Sequence, residues 1–312
     1  MRHLENLALI SETTSAGHLD MIWVAGGTFL MGSNAFYREE RPVRAETVPG
    51  FWLDRTPVTN AAFRTFVDAT GYVTLCERPP DPAAYPDADP ALLVPGSAVF
   101  RKPPGPVSLS DSRAWWEYVP GANWRHPQGT DSGIDGRDDH PVVHVAYEDA
   151  CAYAIWAGKA LPTEAEWEFA ARGGLDGAAY AWGAEATPDG RQMANTWQGR
   201  FPWENLALDG FEGTSPVDTF PANGYGVSDM IGNVWEWTAS PFALPGAEIV
   251  KSSCCSPSAP VTRQQRVVKG GSHLCAPNYC LRYRPAARQG ESIDTSSSHV
   301  SFRCIVRGPN GA

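Results

Sequence analysis

Residues 269–280 read KGGSHLCAPNYC and form the segment of this chain that is richest in chemically reactive residues. Its two cysteines, Cys275 and Cys280, are separated by four residues, so their thiols can bind one ion or form a disulfide. Thiolates are soft ligands that favour Cu(I), zinc or iron–sulfur clusters over hard cations. The spacing leaves four interpretations open: a soft-metal site with few ligands, a redox disulfide, a structural disulfide or two inert thiols.

A structural zinc site is a poorer match to this segment. Such sites usually take four protein ligands. The nearest additional candidates are His273 and His299, and no Cys-x2-Cys pair occurs in the sequence. Two thiols alone suit a low-coordinate soft metal or a redox disulfide better.

The composition of the whole chain favours one large domain with many loops. A chain of 312 residues can bury a sizeable core. Thirty glycines, 27 prolines and only 19% charged residues disfavour long surface helices and coiled coils. Seven cysteines are too few for a disulfide-rich secreted module, and the odd number leaves at least one thiol unpaired. Two of them, Cys254 and Cys255, lie in a polar Ser/Pro segment.

Charge and hydropathy exclude two classes of partner. The formal net charge is −10, with no evident basic stripe, so nucleic acid is not expected to bind. No apolar run approaches the roughly 20 residues that span a bilayer, so no membrane partner is expected. Glu5, Asn6 and Glu12 interrupt the short apolar stretch at the N-terminus, which is therefore not expected to direct export. These features together predict a cytoplasmic protein.

Cap and turn signals predict the main local elements. Thr59 is a predicted helix N-cap, and Gly71 stands where that helix would end. Thr163 and Glu166 form a predicted capping box, and Gly173 stops the helix that follows it. The further predicted elements are strands at 21–24, 28–31 and 141–145, a helix at 148–156, and an ordered, proline-rich surface excursion at 79–106.

His140 and His144 have the His-x3-His spacing of helical metal sites, but the sequence between them argues against such a site. Pro141 and two valines predict a strand rather than a helix. Residues four apart in a strand are about 13 Å apart and cannot bind one ion. We therefore exclude this pair as a metal site.

The cysteine segment also carries a family resemblance. Together with the arginines that follow it, the segment resembles the C-terminal active-site region of the formylglycine-generating enzymes, also called sulfatase-modifying factors. Further blocks in family order are GGTFLMG at 26–32, LPTEAEWE at 161–168, NTWQG at 195–199, GNVWEW at 232–237 and FRC at 302–304. The resemblance covers about residues 20–307, and the paired cysteines narrow it from a wider superfamily to this family.

The resemblance implies a fold and a division of the chain. The expected fold is a single α+β domain with a C-type-lectin-like core, low regular secondary structure and long loops. The expected domain spans residues 19–308, between tails at 1–18 and 309–312.

The resemblance also implies an activity: a copper-dependent enzyme that uses O2 to oxidise a cysteine to formylglycine. The cysteine would lie in the Cys-x-Pro-x-Arg segment of an unfolded sulfatase, and a thiol would be the reductant. Cys275 and Cys280 would bind Cu(I), and two thiolates leave this ion able to accept a third soft ligand. The family pattern places Trp235, Ser272 and Tyr279 around the oxygen and substrate-thiol pocket. Ser296 matches an active-site serine of relatives, whereas His299 stands where many relatives carry asparagine.

Structural calcium is the second cofactor that the resemblance implies. Side-chain oxygens and carbonyl groups are the ligands that calcium prefers. The residues implied for one ion are Asn195, Thr196, Asp209 and Phe211, and those for a second ion are Asp229, Gly232, Val234 and Glu236.

Two other functions remain as alternatives. A non-heme iron sulfoxide synthase of the same superfamily would need a helical region with an iron site before this domain, and only about 18 residues precede the domain here. A non-catalytic member of the scaffold that binds peptides or glycans would not need both cysteines together with Ser272, Tyr279 and Trp235.

Overall fold

A computed structural model describes residues 20–244 and 264–308. In these ranges three α-helices and eleven strands are joined by long loops, so the predicted α+β fold with low regular structure is confirmed. The helices are α1 (Asn60–Thr70), α2 (Tyr147–Trp156) and α3 (Glu164–Arg172). The strands are β1 (Met21–Val24), β2 (Gly27–Met31), β3 (Arg44–Val48), β4 (Phe51–Asp54), β5 (Gly96–Phe100), β6 (Trp116–Pro120), β7 (Trp235–Pro241), β8 (Gln265–Lys269), β9 (Arg288–Ser292), β10 (Val300–Ser301) and β11 (Ile305–Arg307).

The sheets place the cysteine segment in one long connection. The largest sheet has the order β10-β7-β8-β9, and a second has the order β1-β4-β11. Strands β8 and β9 are antiparallel, and Lys269 at the end of β8 pairs with Arg288 at the start of β9. Residues 270–287 therefore leave the sheet and return to it at the same point, and both cysteines lie in this loop.

The helix boundaries follow from the local cap chemistry. Thr59 accepts a hydrogen bond from the Ala62 N–H, and Gly71 ends α1 at a φ of +67°. Thr163 and Glu166 form the predicted capping box of α3, which ends at Gly173 with a φ of +56°. Both φ values lie in the left-handed region that glycine adopts without a steric penalty. These predictions are confirmed.

The prediction of a strand at residues 141–145 is wrong. Only an isolated bridge between Thr59 and Pro141 forms there, and His144 has a φ of +61°. Val142 donates its N–H to Val58, whereas His144 donates to Ser297, so the segment bonds to two separate parts of the chain. Its apolar residues are buried by tertiary packing instead of by a sheet.

The core contains buried ion pairs as well as aromatic rings. The fully buried Arg303 binds both carboxylate oxygens of Glu236 at 2.7 and 2.8 Å. Glu168 accepts bonds from Lys269 at 2.9 Å and Arg172 at 2.7 Å, and from the backbone N–H of Gly32 at 2.8 Å. Buried charges need such partners because desolvation is costly. The Glu168 carboxylate thereby joins the hairpin β2–β3, helix α3 and strand β8.

No helix in the described ranges is long and apolar enough to cross a membrane. Cys254, Cys255 and the tails expected at 1–18 and 309–312 lie outside the described residues. The division into one domain and two tails stays a prediction.

His144 should make the stability of the fold depend on pH. Its ring is completely buried between Ser97 and the Pro127 carbonyl, and burial lowers its pKa to about 4. The unfolded chain, with an ordinary histidine pKa of about 6.5, binds the proton first, so acid favours unfolding. We expect up to about 3 kcal/mol of stability to be lost as the pH falls from 6.5 to 4.

Urea unfolding of the wild type and His144→Asn between pH 4 and pH 7 measures this contribution. Asparagine tolerates the positive φ at this position and does not titrate. We therefore expect a flatter pH profile in the variant, and identical slopes in the two proteins would contradict the assignment.

Candidate active site

Two free thiols meet in the loop between β8 and β9. Turn hydrogen bonds of 2.9 Å fold the loop: Cys275 donates its N–H to the Ser272 carbonyl, and Cys280 donates to the Ala276 carbonyl. The two Sγ atoms are 3.1 Å apart, which is longer than the roughly 2.05 Å of a disulfide bond. Both thiols are free and buried. The structure therefore brings together the two cysteines that the sequence singled out.

Two glycines allow the loop to leave the sheet. Gly270 and Gly271 have φ values of +92° and +72°. A Cβ atom at Gly271 would lie 3.0 Å from the backbone of Arg282 and Tyr283, on the returning side of the same loop. The left-handed φ and this close approach of the two backbones both require glycine.

An arginine stands beside one of the thiols. The Arg282 Nη1 lies 3.9 Å from Cys280 Sγ, while Nη2 pairs with Glu39 at 2.6 Å. The hydrogen bond with Cys275 and the Arg282 guanidinium lower the pKa of Cys280, whereas burial raises the pKa of Cys275. The site therefore favours a thiolate at Cys280 and a thiol at Cys275.

The thiols open onto a cavity of about 310 Å³ with aromatic walls. Tyr279 stacks on Phe201 at 4.6 Å, and Trp115 packs edge-on against both rings at 5.5 Å. The remaining aromatic walls are Trp116 and Trp235. Trp115 directly precedes β6 and Trp116 begins it, so a region far from the cysteine segment in sequence supplies part of the cavity wall.

The three residues predicted around the thiols all line this cavity. Trp235 is buried, whereas Tyr279 is 41% exposed. Ser272 Oγ accepts a hydrogen bond from the Leu274 N–H at 3.2 Å and lies 3.1 Å from His299 Nδ1. Burial lowers the pKa of His299 to about 3, so its imidazole is neutral beside the Ser272 hydroxyl.

Two of the arginines that follow the cysteine segment, and the serine at position 296, have structural partners. Arg284 pairs with Glu40 at 2.5 Å and Arg288 pairs with Glu164 at 2.7 Å. Ser296 lies 2.8 Å from the hydroxyl of Ser97 and does not line the cavity. Its match to an active-site serine therefore does not place it at the cavity.

The first predicted calcium set fits a cation. The Asn195 Oδ1 atom is buried without a hydrogen-bond partner in the structure, so it is free to bind one. The Asp209 carboxylate lies close by and, within the described part of the chain, is bound by neutral donors alone: the N–H groups of Thr196 and Phe211 at 3.0 Å and the Gln198 amide at 2.7 Å. Among residues 20–244 and 264–308 no three His, Cys, Asp or Glu side chains gather as a metal site, so calcium would depend on amide and carbonyl oxygens as well.

The second calcium set fits a cation less well. The Glu236 carboxylate already has a cation partner in Arg303, and with Trp167 it accepts three hydrogen bonds at 2.7–2.8 Å. Asp229 accepts the Asp218 N–H at 2.6 Å, and burial raises the Asp229 pKa to about 6. This site stays a prediction.

Calcium should stabilise the fold through the first set. Since a ligand that binds only the folded state stabilises it, calcium at about 100 times its dissociation constant should add about 2.7 kcal/mol. Asp209→Asn should lose this gain, whereas Asp111→Asn, which changes an exposed carboxylate, should keep it. Thermal unfolding with and without calcium checks this, and an equal gain in Asp209→Asn would contradict the site.

Comparison with known proteins defines the class to which this fold and site belong. The family model described as sulfatase-modifying factor enzyme 1-like domain matches residues 7–308. The chain therefore belongs to the sulfatase-modifying factor family, and the resemblance found in the sequence is confirmed.

Individual relatives match over nearly the whole chain. It is 55% identical to the formylglycine-generating enzyme of Mycobacterium tuberculosis, over 94% of this chain and 99% of that protein. It is 47% identical to the enzyme of the same name from Thermomonospora curvata, over 92% and 93%. It is also 40% identical to the inactive C-alpha-formylglycine-generating enzyme 2 of Mus musculus, over 91% and 84%. Among solved structures, PvdO from Pseudomonas aeruginosa shares the fold, with a TM-score of 0.62, 22% identity and coverage of 92% and 94%.

Proposed function

We propose that the chain is a formylglycine-generating enzyme, which oxidises a cysteine in the Cys-x-Pro-x-Arg segment of an unfolded sulfatase to formylglycine with O2 and a thiol reductant. The observation that carries this proposal is the pair of free thiols, 3.1 Å apart, at the wall of an open cavity. Relatives that carry this enzyme name match the whole domain. A sulfatase is accordingly the expected partner.

Copper is the cofactor that the donor set suits. Cys275 and Cys280 would hold Cu(I), because two buried thiols become soft thiolate ligands when the metal displaces their protons. When bound, Cu(I) would supply the electrons that activate O2 and a position for the substrate thiolate. Zinc would require ligands that the structure does not place here.

The residues around the thiols prepare the cavity for this chemistry. Trp235 and the stacked Tyr279 and Phe201 rings keep bulk water away from the thiols. Burial raises the pKa of Tyr279, so its hydroxyl keeps its proton and can donate a hydrogen bond to reduced oxygen. The Leu274 N–H fixes the position of the Ser272 oxygen.

A binding protein without turnover is the second candidate, since the mouse relative named as inactive matches 91% of this chain. We favour the enzyme because both thiols are free and face the cavity. We also propose that the reaction takes place in the cytoplasm, where thiols stay reduced.

Mass spectrometry tests the proposed function. A Cys-x-Pro-x-Arg peptide is incubated with the Cu(I)-loaded protein, O2 and a thiol reductant, and its mass is then measured. We expect the mass decrease of a thiol converted to an aldehyde. An unchanged peptide, together with a protein that takes up no copper, would overturn the enzyme and support the binding protein. An unchanged peptide despite stoichiometric copper would overturn the proposed substrate motif.

A further inference from the structure

The cavity is polar at the end that faces β9. Gln289 and Glu291 line it from the strand, and Thr295 and Ser297 line it from the segment that follows. This end contrasts with the aromatic wall described above. It carries one carboxylate, that of Glu291.

Glu291 has no cation partner within the described ranges. Neutral groups hold its carboxylate: the Gln289 amide donates to it at 3.3 Å, and the Thr295 side chain and the Ser292 backbone also form hydrogen bonds with it. Arg266 is its neighbour across the sheet, but that guanidinium donates to the Ala239 carbonyl at 2.8 Å and lies over the Tyr147 ring. Arg282, the cation of the cavity wall, pairs with Glu39.

The surroundings of Glu291 favour a positively charged ligand. Burial raises the pKa of Glu291, and the nearby Asp294 carboxylate adds to this effect. A cation placed against Glu291 would offset both contributions. A guanidinium is well suited, because it can bind both oxygens of one carboxylate.

Two other polar groups of the cavity lack partners. The Trp115 indole N–H and the Ser297 hydroxyl are buried, line the cavity and make no hydrogen bond in the structure. Buried polar groups normally have a partner, so these two indicate a ligand that both accepts and donates hydrogen bonds. The main chain of an extended peptide has this property.

We propose that Glu291 determines substrate specificity by binding the guanidinium of an arginine that follows the reacting cysteine. The inference rests on the proposed function and assigns to Glu291 the recognition of the motif's arginine. Glu291, Cys275 and Cys280 line the same cavity, so one bound peptide can contact the thiols and this carboxylate together. An extended segment spans about 13 Å between its cysteine and an arginine four residues later, so the two side chains reach separate parts of the cavity.

The experiment compares two peptides that differ by one charge. One contains Cys-x-Pro-x-Arg, and the other has the neutral isostere citrulline in place of arginine. We expect the wild type to prefer arginine by about 10- to 100-fold in kcat/KM, as a charge-assisted pair allows. Glu291→Gln should bring this ratio close to one, mainly by slowing conversion of the arginine peptide.

A matched control separates recognition from general damage. Asp294→Asn removes the same charge three residues away, where the carboxylate binds Tyr85 and does not line the cavity, so the arginine preference should remain. Equal losses on both peptides in Glu291→Gln, or an unchanged preference, would overturn the assignment.

A binding assay keeps this inference separate from the proposed activity. Fluorescence anisotropy with peptides that carry serine in place of cysteine measures binding without turnover. A Glu291-dependent preference for arginine would support the subsite even if no peptide is oxidised. Equal affinities for the arginine and citrulline peptides, unchanged in Glu291→Gln, would overturn the subsite even if the enzyme is active.

Discussion

Cys280→Ser should lower the rate of formylglycine formation by more than about 1000-fold, because a serine hydroxyl is a poor ligand for Cu(I). The thiols lie 3.1 Å apart, so loss of one leaves a single soft donor at the site. The same result is expected for Cys275→Ser. Mass spectrometry of product peptide and a competition titration with a Cu(I) chelator give the two readouts, turnover and metal binding.

Cys151→Ser is the matched control for these variants. Cys151 is a free thiol in α2 that does not line the cavity. Its replacement should change turnover by less than about 3-fold, in line with substitutions away from a site. Substantial turnover by Cys280→Ser would disprove the two-thiolate copper site.

Arg303→Leu should destabilise the fold by about 3–5 kcal/mol, because it leaves a buried carboxylate without its charge partner. Besides Glu236, the Arg303 guanidinium binds the carbonyl groups of Asp54, Arg55, Ser228 and Asp229 at 2.9–3.2 Å. The substitution therefore removes the hydrogen bonds of several buried oxygens at once. The free energy of unfolding in urea measures the effect.

Arg113→Ala provides the contrast. Arg113 pairs with Asp111, but its side chain is 88% exposed, so the substitution should leave the free energy of unfolding almost unchanged. The double variant Arg303→Leu, Glu236→Leu should recover part of the loss, since no uncompensated charge remains. A loss below about 1 kcal/mol in Arg303→Leu would contradict the importance of this pair.

The helices were predictable because their ends depend on neighbouring residues. Thr163 and Glu166 begin α3, and Gly173 ends it, through contacts made within a single turn. The segment 141–145 shows the opposite case. Its apolar residues suggest a strand, but its hydrogen-bond partners, at Val58 and Ser297, come from distant parts of the chain. Local pattern cannot specify such partners.

The reactive part of the site was also predictable, whereas its walls were not. Cys275, Cys280, Ser272 and Tyr279 lie in one segment, and their spacing and resemblance identified them. Trp115, Phe201 and Glu291 come from separate regions and show no periodicity that would single them out. His299 was named as a candidate metal ligand and by its position in the resemblance, and its contact with Ser272 depends on folding.

The order of the strands has a consequence for the synthesis of this protein. Strand β4, near the N-terminus, pairs with β1 on one side and with β11, at the end of the described chain, on the other. A nascent chain cannot complete this sheet until β11 has left the ribosome, and the Glu168–Lys269 contact likewise has to wait for residue 269. The complete fold around the thiol site should therefore form only after β11 has been synthesised.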